Sequence, residues 1–127
     1  MSSTHFVKRP QSDDHSGQAH WVPNTDVYKT DAGIVIKIEM AGMRKEDLEL
    51  MIEGSRIKIS GNRPDCCRAP RCTFQVMEIH YGHFETSVEV PPGYDVSRSR
   101  AAYQNGFLRI DVPMAAAGQR IVPIDPG

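Results

Sequence analysis

The sequence predicts an all-β protein built as an antiparallel β-sandwich. Apolar residues recur at every second position in several short segments, a pattern typical of strands that bury one face. Asn105 and Gly106 lie between two such segments and predict a tight hairpin turn, because both residues tolerate positive φ. No segment shows a convincing amphipathic helical pattern, so sheets must supply the core.

The first strands follow one another after short turns. Alternation is clearest over 34–40, where Ile34, Ile36, Ile38 and Met40 share one face. Charged residues over 44–47 break the alternation and leave room for a single helical turn at most. The strands predicted in this half cover 26–30, 34–40, 48–52 and 56–60, and the last of them is expected to stop at Gly61.

The second half continues the pattern up to the hairpin. Residues 74–81 are compatible with an extended chain, and residues 84–90 carry Phe84, Val88 and Val90 on one parity before Pro91 and Pro92 end the strand. The hairpin adds strands on either side of Asn105 and Gly106. The total of about seven short strands favours an immunoglobulin-like sandwich.

The chain length and composition suit one domain. A chain of 127 residues can bury a sufficient core without disulfides or metal. We expect a flexible N-terminal arm over 1–20, the sandwich over 21–113 and a C-terminal tail over 114–127. A net charge of −1 does not favour nucleic acid, and no apolar stretch is long enough for a membrane span. Neither nucleic acid nor a membrane is therefore expected as a partner. Residues 1–20 lack a secretory pattern, so a cytoplasmic location is the default.

Three cysteines lie close together, at Cys66, Cys67 and Cys72. An odd count does not suit a simple disulfide framework, whereas the neighbouring Arg68 and Arg71 favour a more reactive thiolate. A zinc site would need a fourth ligand such as His80 or His83. Incidental thiols on an exposed loop are the simpler interpretation, and no metal or cofactor is expected.

The tail ends in a small apolar motif made of Val122, Pro123 and Ile124. Val122 and Ile124 fall on one side of an extended segment, and Pro123 lowers the entropy lost when that segment docks. These residues are predicted to anchor the tail in an apolar groove, which would make the chain a self-assembling binding module. The alternative is that they cover the core of their own domain.

The order of motifs resembles the small heat shock protein family, whose shared unit is the alpha-crystallin domain, in its bacterial and plant branch. The resemblance covers roughly residues 21–124. It is carried by Ala41-Gly42, by Lys45-Glu46-Asp47-Leu48, by Ile57 to Arg63, by Gly82-His83-Phe84 leading to Val90-Pro91, by Ala101 with Asn105 to Leu108, and by the tail motif.

The resemblance implies two assembly sites. A groove for the tail and for clients would lie between 48–52 and 99–103, with Leu50, Ile52 and Ala102 as candidate residues, although the same side chains could simply belong to the core. The stretch from Gly61 to Phe84, which holds Phe74 and Glu78, would carry a short strand exchanged between two subunits, whereas an ordinary surface loop is the simpler interpretation.

One position departs from the family pattern. Thr86 stands where many members have an arginine that enters ion pairs at the subunit boundary, so those pairs cannot form here. The subunit contact is expected to use Glu85, Glu89 or residues of the loop that contains the three cysteines instead.

The resemblance implies an ATP-independent holdase that binds partly unfolded proteins as a dimer-based oligomer. Two other functions stay open, a cysteine-based redox or metal sensor and a non-oligomeric adaptor on the same sandwich. An enzyme is not expected, because no nucleophile elbow, phosphate-binding loop or catalytic histidine arrangement occurs in the sequence.

Overall fold

The computed structural model describes residues 8–10, 21–65, 69–116 and 122–126. Eight strands form two four-stranded antiparallel sheets, so the predicted sandwich is confirmed. The strands are β1 (Lys8–Pro10), β2 (Thr25–Thr30), β3 (Gly33–Glu39), β4 (Leu48–Glu53), β5 (Arg56–Arg63), β6 (Gly82–Glu89), β7 (Arg100–Gln104) and β8 (Phe107–Pro113).

The two sheets have the strand orders β1-β6-β5-β4 and β2-β3-β8-β7. The chain changes sheet between β1 and β2, between β3 and β4 and between β6 and β7. The second and third of these crossings each contain one 3₁₀ turn, Lys45–Asp47 and Val96–Arg98. The first turn agrees with the expectation of a single helical turn near Glu46. None of the helical segments in the described ranges reaches the length and hydropathy that a membrane crossing requires.

The core lies between the alternating apolar faces of the two sheets. Ile34, Ile36 and Ile38 of β3 are buried, as are Ile57 and Ile59 of β5. The two-residue period therefore gave the correct inward parity for both strands. Further buried side chains in this cluster are Trp21, Met40, Met43, Phe84, Val88, Val90, Val96, Leu108, Ile110 and Val112.

The predicted hairpin forms between β7 and β8. Asn105 has φ 55° and Gly106 has φ 82°, so both central residues adopt the left-handed conformation that a two-residue hairpin turn with matching twist requires. The turn fixes the register of Tyr103 opposite Leu108 and of Ala101 opposite Ile110.

Residues 74–81, for which the sequence indicates only compatibility with an extended chain, belong to no strand of the two sheets. Two other features differ from the sequence prediction. β5 continues to Arg63 instead of stopping at Gly61, because Gly61 has no side chain to collide with its neighbours. Lys8–Pro10 was expected to be part of an unstructured arm, but it pairs antiparallel with β6. The division into arm, domain and tail at residues 20 and 113 stays a prediction.

Candidate functional site

One side of the sandwich is bounded by β4 and β7, which are edge strands of different sheets. Tyr103 of β7 holds the crossing that leads into β4: its hydroxyl donates to the carbonyl oxygen of Met40 at 2.6 Å and accepts from the backbone N–H of Met43 at 3.3 Å. Met40 and Met43 lie on the crossing that leads into β4. Each edge strand also packs a half-buried side chain against the core, Leu50 from β4 and Tyr103 from β7, and a groove between the two strands stays a prediction.

Leu50 and Ile52 lie on the inner face of β4. Their register partners are the buried residues Ile59 and Ile57. Leu50 is half-buried against the core, whereas Ile52 is 44% exposed. Both residues therefore face the inside of the sandwich at this edge strand, and their part in a groove stays a prediction.

Ala102 does not share that placement, and its assignment to the groove is wrong. It lies opposite the exposed Arg109, on the outer face of the sheet. Ala101 and Tyr103 instead lie opposite Ile110 and Leu108 and face inward. The sequence contained the signal for this correction, because a two-residue turn after Gln104 fixes which residues of the hairpin face each other.

The described part of the loop between β5 and β6, residues 69–81, is exposed throughout. Phe74 and Glu78, the two residues implied by the family pattern, both lie in it. Phe74 is 45% exposed, Val76 72%, Met77 62% and Ile79 61%. A run of large apolar side chains left in water within one chain is typical of a surface that a partner covers.

The C-terminal end of this loop is fixed by a cluster of Trp21, Arg63 and His80. The Arg63 guanidinium lies 4.2 Å from the Trp21 ring centroid, and the His80 ring stacks on Trp21 with centroids 6.0 Å apart. Arg63 Nη1 donates to the carbonyl oxygen of His80 at 2.9 Å, and Trp21 Nε1 donates to that of Gly82 at 3.0 Å. No sequence motif predicted this cluster, because its members are far apart in the chain.

Glu85 and Glu89, the two acidic candidates for the subunit contact, form ion pairs within their own chain. Glu85 pairs with Lys58 at 3.0 Å, and Glu89 pairs with Arg56 at 2.8 Å. Thr86 itself is buried in the core. These observations give Glu85 and Glu89 an intrachain role on the outer face of the sheet.

Of the cysteines, Cys72 is an exposed free thiol, while Cys66 and Cys67 lie outside the described residues. Within the described ranges, no group of three histidine, cysteine or acidic side chains is positioned to hold a metal ion. His80 is occupied in the Trp21 cluster. A redox role of the cysteines stays a prediction.

The tail motif is exposed where it is described. Val122 is 63% exposed and Ile124 is 93% exposed, with Pro123 between them also in water. The alternative that Val122 and Ile124 cover the core of their own domain is therefore not realised in this structure.

Comparison with known proteins agrees with this architecture. The model of the Hsp20/alpha crystallin family matches residues 26–125. Small heat shock protein C2 of Rickettsia felis is 25% identical over 104 residues, or 82% of this chain and 68% of that protein. A 17.8 kDa class I heat shock protein of Arabidopsis thaliana is 30% identical over 101 residues, or 77% of this chain and 64% of that protein.

The fold is also found among solved structures. A small heat-shock protein from Xylella fastidiosa superposes with a TM-score of 0.70 and 25% identity, over 84% of this chain and 99% of that one. The chain thus spans nearly all of this relative, but only about two thirds of each of the two sequences above.

Proposed function

Because the chain belongs to the Hsp20/alpha crystallin family, we propose that it is an ATP-independent chaperone of the holdase type, which binds partly unfolded proteins and suppresses their aggregation. The proteins it resembles are small heat-shock proteins, and a chaperone role follows from that membership. Binding without chemistry needs no catalytic residues. The proposal adds ATP independence, dimer-based assembly and a cytoplasmic location, the last because an odd number of cysteines does not suit the disulfide framework of an exported protein.

The observation that carries the proposal is the amount of apolar surface left in water on a well-packed sandwich. It lies in three places: the loop over 74–81, the exposed part of β4 at Ile52 on its inner face, and the tail motif. Unfolding proteins expose apolar segments of the same kind, and extended ones among them can also pair with a free strand edge. Both contacts are reversible and need no nucleotide.

We propose that the loop over 69–81 pairs with a second copy of the chain. β2 is an edge strand with a strand neighbour on one side only, so its other side can accept an additional strand. Complete burial of Phe74, Val76, Met77 and Ile79 would contribute roughly 1.5–3 kcal/mol each. That sum only matches the estimated 4–15 kcal/mol cost of association, so backbone pairing along β2 has to supply the remaining stability.

The tail is proposed to hold dimers together in a larger assembly. Val122 and Ile124 offer two small anchors, and after the cost of ordering the segment one docked tail is worth about 4 kcal/mol, which corresponds to a millimolar dissociation constant. A single tail therefore binds weakly, whereas many tails in one particle bind firmly. The similar protein from Xylella fastidiosa is described as having a distinct high order structure, which supports assembly beyond the dimer.

The test is light scattering from a heat-labile protein mixed with the purified chain in the absence of nucleotide. Suppression at a stoichiometric ratio, with no gain when ATP is added, is the expected result. An inert protein of similar size at the same concentration is the control for crowding. Aggregation that proceeds unchanged at all temperatures would refute the holdase activity while leaving the fold assignment intact.

A redox sensor is a separate prediction supported by the exposed thiol of Cys72. Thiol titration before and after mild peroxide treatment, together with metal analysis, tests it. Three titratable thiols after treatment and no co-purified metal would exclude it. An adaptor without oligomers would be indicated by a monomeric mass that does not change when the tail motif is altered.

A further inference from the structure

We propose that β1 is a replaceable strand that guards one side of β6, and that an extended apolar segment of an unfolding protein takes its place there. The inference rests on the proposed holdase function and adds to it the surface on which a client binds. The occupant is a short extended segment of a partly unfolded protein, with apolar residues at alternate positions.

The two sides of β6 are covered in different ways. β5 occupies one side of β6 along its whole length, from Gly82 to Glu89. On the other side, which we call the outer edge of β6, Trp21 forms an isolated parallel bridge with Phe84 and β1 pairs with residues 86–88. If β1 left, residues 85–89 would become the edge of a three-stranded sheet.

Trp21 is firmly held at its end of this edge. Its side chain is buried, its Nε1 donates to the carbonyl oxygen of Gly82 at 3.0 Å, and its ring centroid lies 5.2 Å from that of Phe84. Trp21 thus marks where the part covered by β1 begins. That part, residues 85–89, is about 17 Å long, which is enough for a strand of typical length.

β1 uses this edge poorly as a hydrogen-bonding partner. It has only three residues, and it ends at Pro10, which has no backbone N–H to donate. Lysine and proline are the residues that natural sheet edges carry to discourage pairing, and β1 contains both. We therefore infer that its pairing with β6 is weak enough to be exchanged.

The residue types of β1 also suit their register positions poorly. Lys8 lies opposite Val88, and Pro10 lies opposite Thr86. Val88 and Thr86 face the core and are 0% and 1% exposed. Positions opposite inward residues of a sheet favour β-branched and aromatic side chains, so a lysine and a proline are unfavourable there. A segment with valine, isoleucine or phenylalanine at these two positions would pair more strongly.

Replacement of β1 by a client is favoured for that reason and because a segment without proline supplies an N–H at every position. Unfolding proteins expose extended apolar segments, and pairing through the backbone accepts many sequences. When no client is present, β1 keeps the edge covered, and a covered edge does not pair with other copies of the chain. The edge thus opens for clients without promoting aggregation of the chain itself.

Release of β1 is tested in the full-length chain with Lys8→Pro and Arg9→Pro, which remove the remaining backbone donors of the strand. The matched control, Lys8→Gln with Arg9→Gln, removes the same charges but keeps both N–H groups. The control therefore accounts for any attraction between β1 and the carboxylates of Glu85 and Glu89 on the outer face of the sheet.

The opposite change fixes β1 in place. Arg9→Cys with Ser87→Cys introduces two thiols at directly opposed positions. Opposed Cα atoms of an antiparallel pair are about 4.5–5.5 Å apart, a distance that a disulfide can span. Cys66, Cys67 and Cys72 are replaced by serine in this variant, so that no other disulfide forms. Reduction of the same sample opens the staple again.

The probe is a fluorescent nine-residue peptide of alternating valine and threonine with a lysine at each end. Anisotropy measures its affinity, and amide hydrogen exchange locates it on the protein. We expect the release variant to bind the peptide about three- to tenfold more tightly than the control, because a closed edge lowers the apparent affinity by the fraction of open chains. The oxidised staple should weaken binding by a similar factor, and the bound peptide should protect amides of residues 85–89.

Equal affinity of the release variant and its control, or of the oxidised and reduced staple, would overturn the inference. Protection along β2 instead of residues 85–89 would also overturn it. Suppression of client aggregation, measured with the same variants, separates this inference from the proposed function. Peptide binding at residues 85–89 without any suppression would refute the holdase activity alone. Suppression that the oxidised staple does not reduce would refute only the outer edge of β6 as the client surface.

Discussion

At the scale of single residues, Thr86 is the position where polarity and burial conflict. It is 1% exposed, and its hydroxyl has no hydrogen-bond partner among the described residues. Its neighbours on the same face of β6 are Phe84 and Val88, which are completely buried. A buried hydroxyl without a partner costs about 1–3 kcal/mol relative to its hydrated state. The sandwich tolerates this cost because the surrounding core is large and well packed.

Replacing Thr86 by valine should therefore stabilise the protein. Valine keeps the shape and removes the unsatisfied hydroxyl, and we expect the free energy of unfolding to rise by about 1 kcal/mol. Urea unfolding followed by circular dichroism measures the change. Thr30→Val is the matched control, because the Thr30 hydroxyl accepts from the N–H of Ala32 at 3.1 Å and should cost stability when removed. Destabilisation by Thr86→Val would mean that the hydroxyl has a partner in solution.

At the scale of elements, β5 shows why a glycine does not always mark a turn. Gly61 lies within the strand, and a Cβ there would come within 2.5 Å of the carbonyl oxygen of Asp47 and 2.8 Å of the Phe84 ring. The missing side chain thus lets the 3₁₀ turn before β4 and the first inward residue of β6 approach the strand closely. Gly61 joins three elements, and the strand continues through it to Arg63.

Gly61→Ala should destabilise the protein by about 1–3 kcal/mol, because the contacts it creates involve backbone and a buried ring that cannot move freely. Thermal and urea unfolding measure the loss. Ser60→Ala, at the neighbouring half-buried position, should change the stability by less than about 0.5 kcal/mol. Equal stability of the two variants would contradict the close approach at Gly61.

At the scale of the whole molecule, the two kinds of assembly proposed above would use two separate surfaces of the sandwich. The loop over 69–81 leaves the sandwich from β5 and is attached again at His80 by Arg63 and Trp21. The groove between β4 and β7 lies at the other edges of the two sheets. Because the surfaces are separate, dimer formation and higher assembly are predicted to respond to different substitutions.

Val76→Asp with Ile79→Asp should convert dimers to monomers, because charged side chains cannot be buried against a partner strand without a large desolvation cost. Sizing with light scattering measures the mass, and circular dichroism checks that the sandwich is intact. Thr73→Asp with Gln75→Asp adds the same charge at polar positions of the same loop and should have little effect. An unchanged dimer in the first variant would refute strand exchange through this loop.

Val122→Asp with Ile124→Asp should reduce the particle to dimers without unfolding it, for the same physical reason applied to the groove. The control with Ala115→Asp and Ala116→Asp carries equal charge in the tail but spares the motif. The average mass in solution distinguishes the two variants. Large particles that persist after loss of the apolar motif would show that something other than the tail holds them together.

The sequence by itself determined the strands, their inward faces and the hairpin. Alternating burial and a two-residue turn depend on local stereochemistry, so the residues of β3 and of the Asn105–Gly106 turn were sufficient to predict them. The same local rules place Ala101 inward, and the error at Ala102 came from leaving the turn register unused. The apolar residues of the tail and of the loop also stand out in the sequence, because such residues in an otherwise polar segment suggest a partner, and their role in assembly stays a prediction.

Only the tertiary structure decided how these elements meet. The passage of β5 through Gly61 and the contact of Trp21 with Arg63 and His80 depend on residues far apart in the chain. Residues 74–81 are compatible with an extended chain, yet they belong to no strand here, because a strand requires backbone partners and none of the described strands pairs with them. Local chemistry gives a segment its preference, but the fold determines whether a partner for it is within reach.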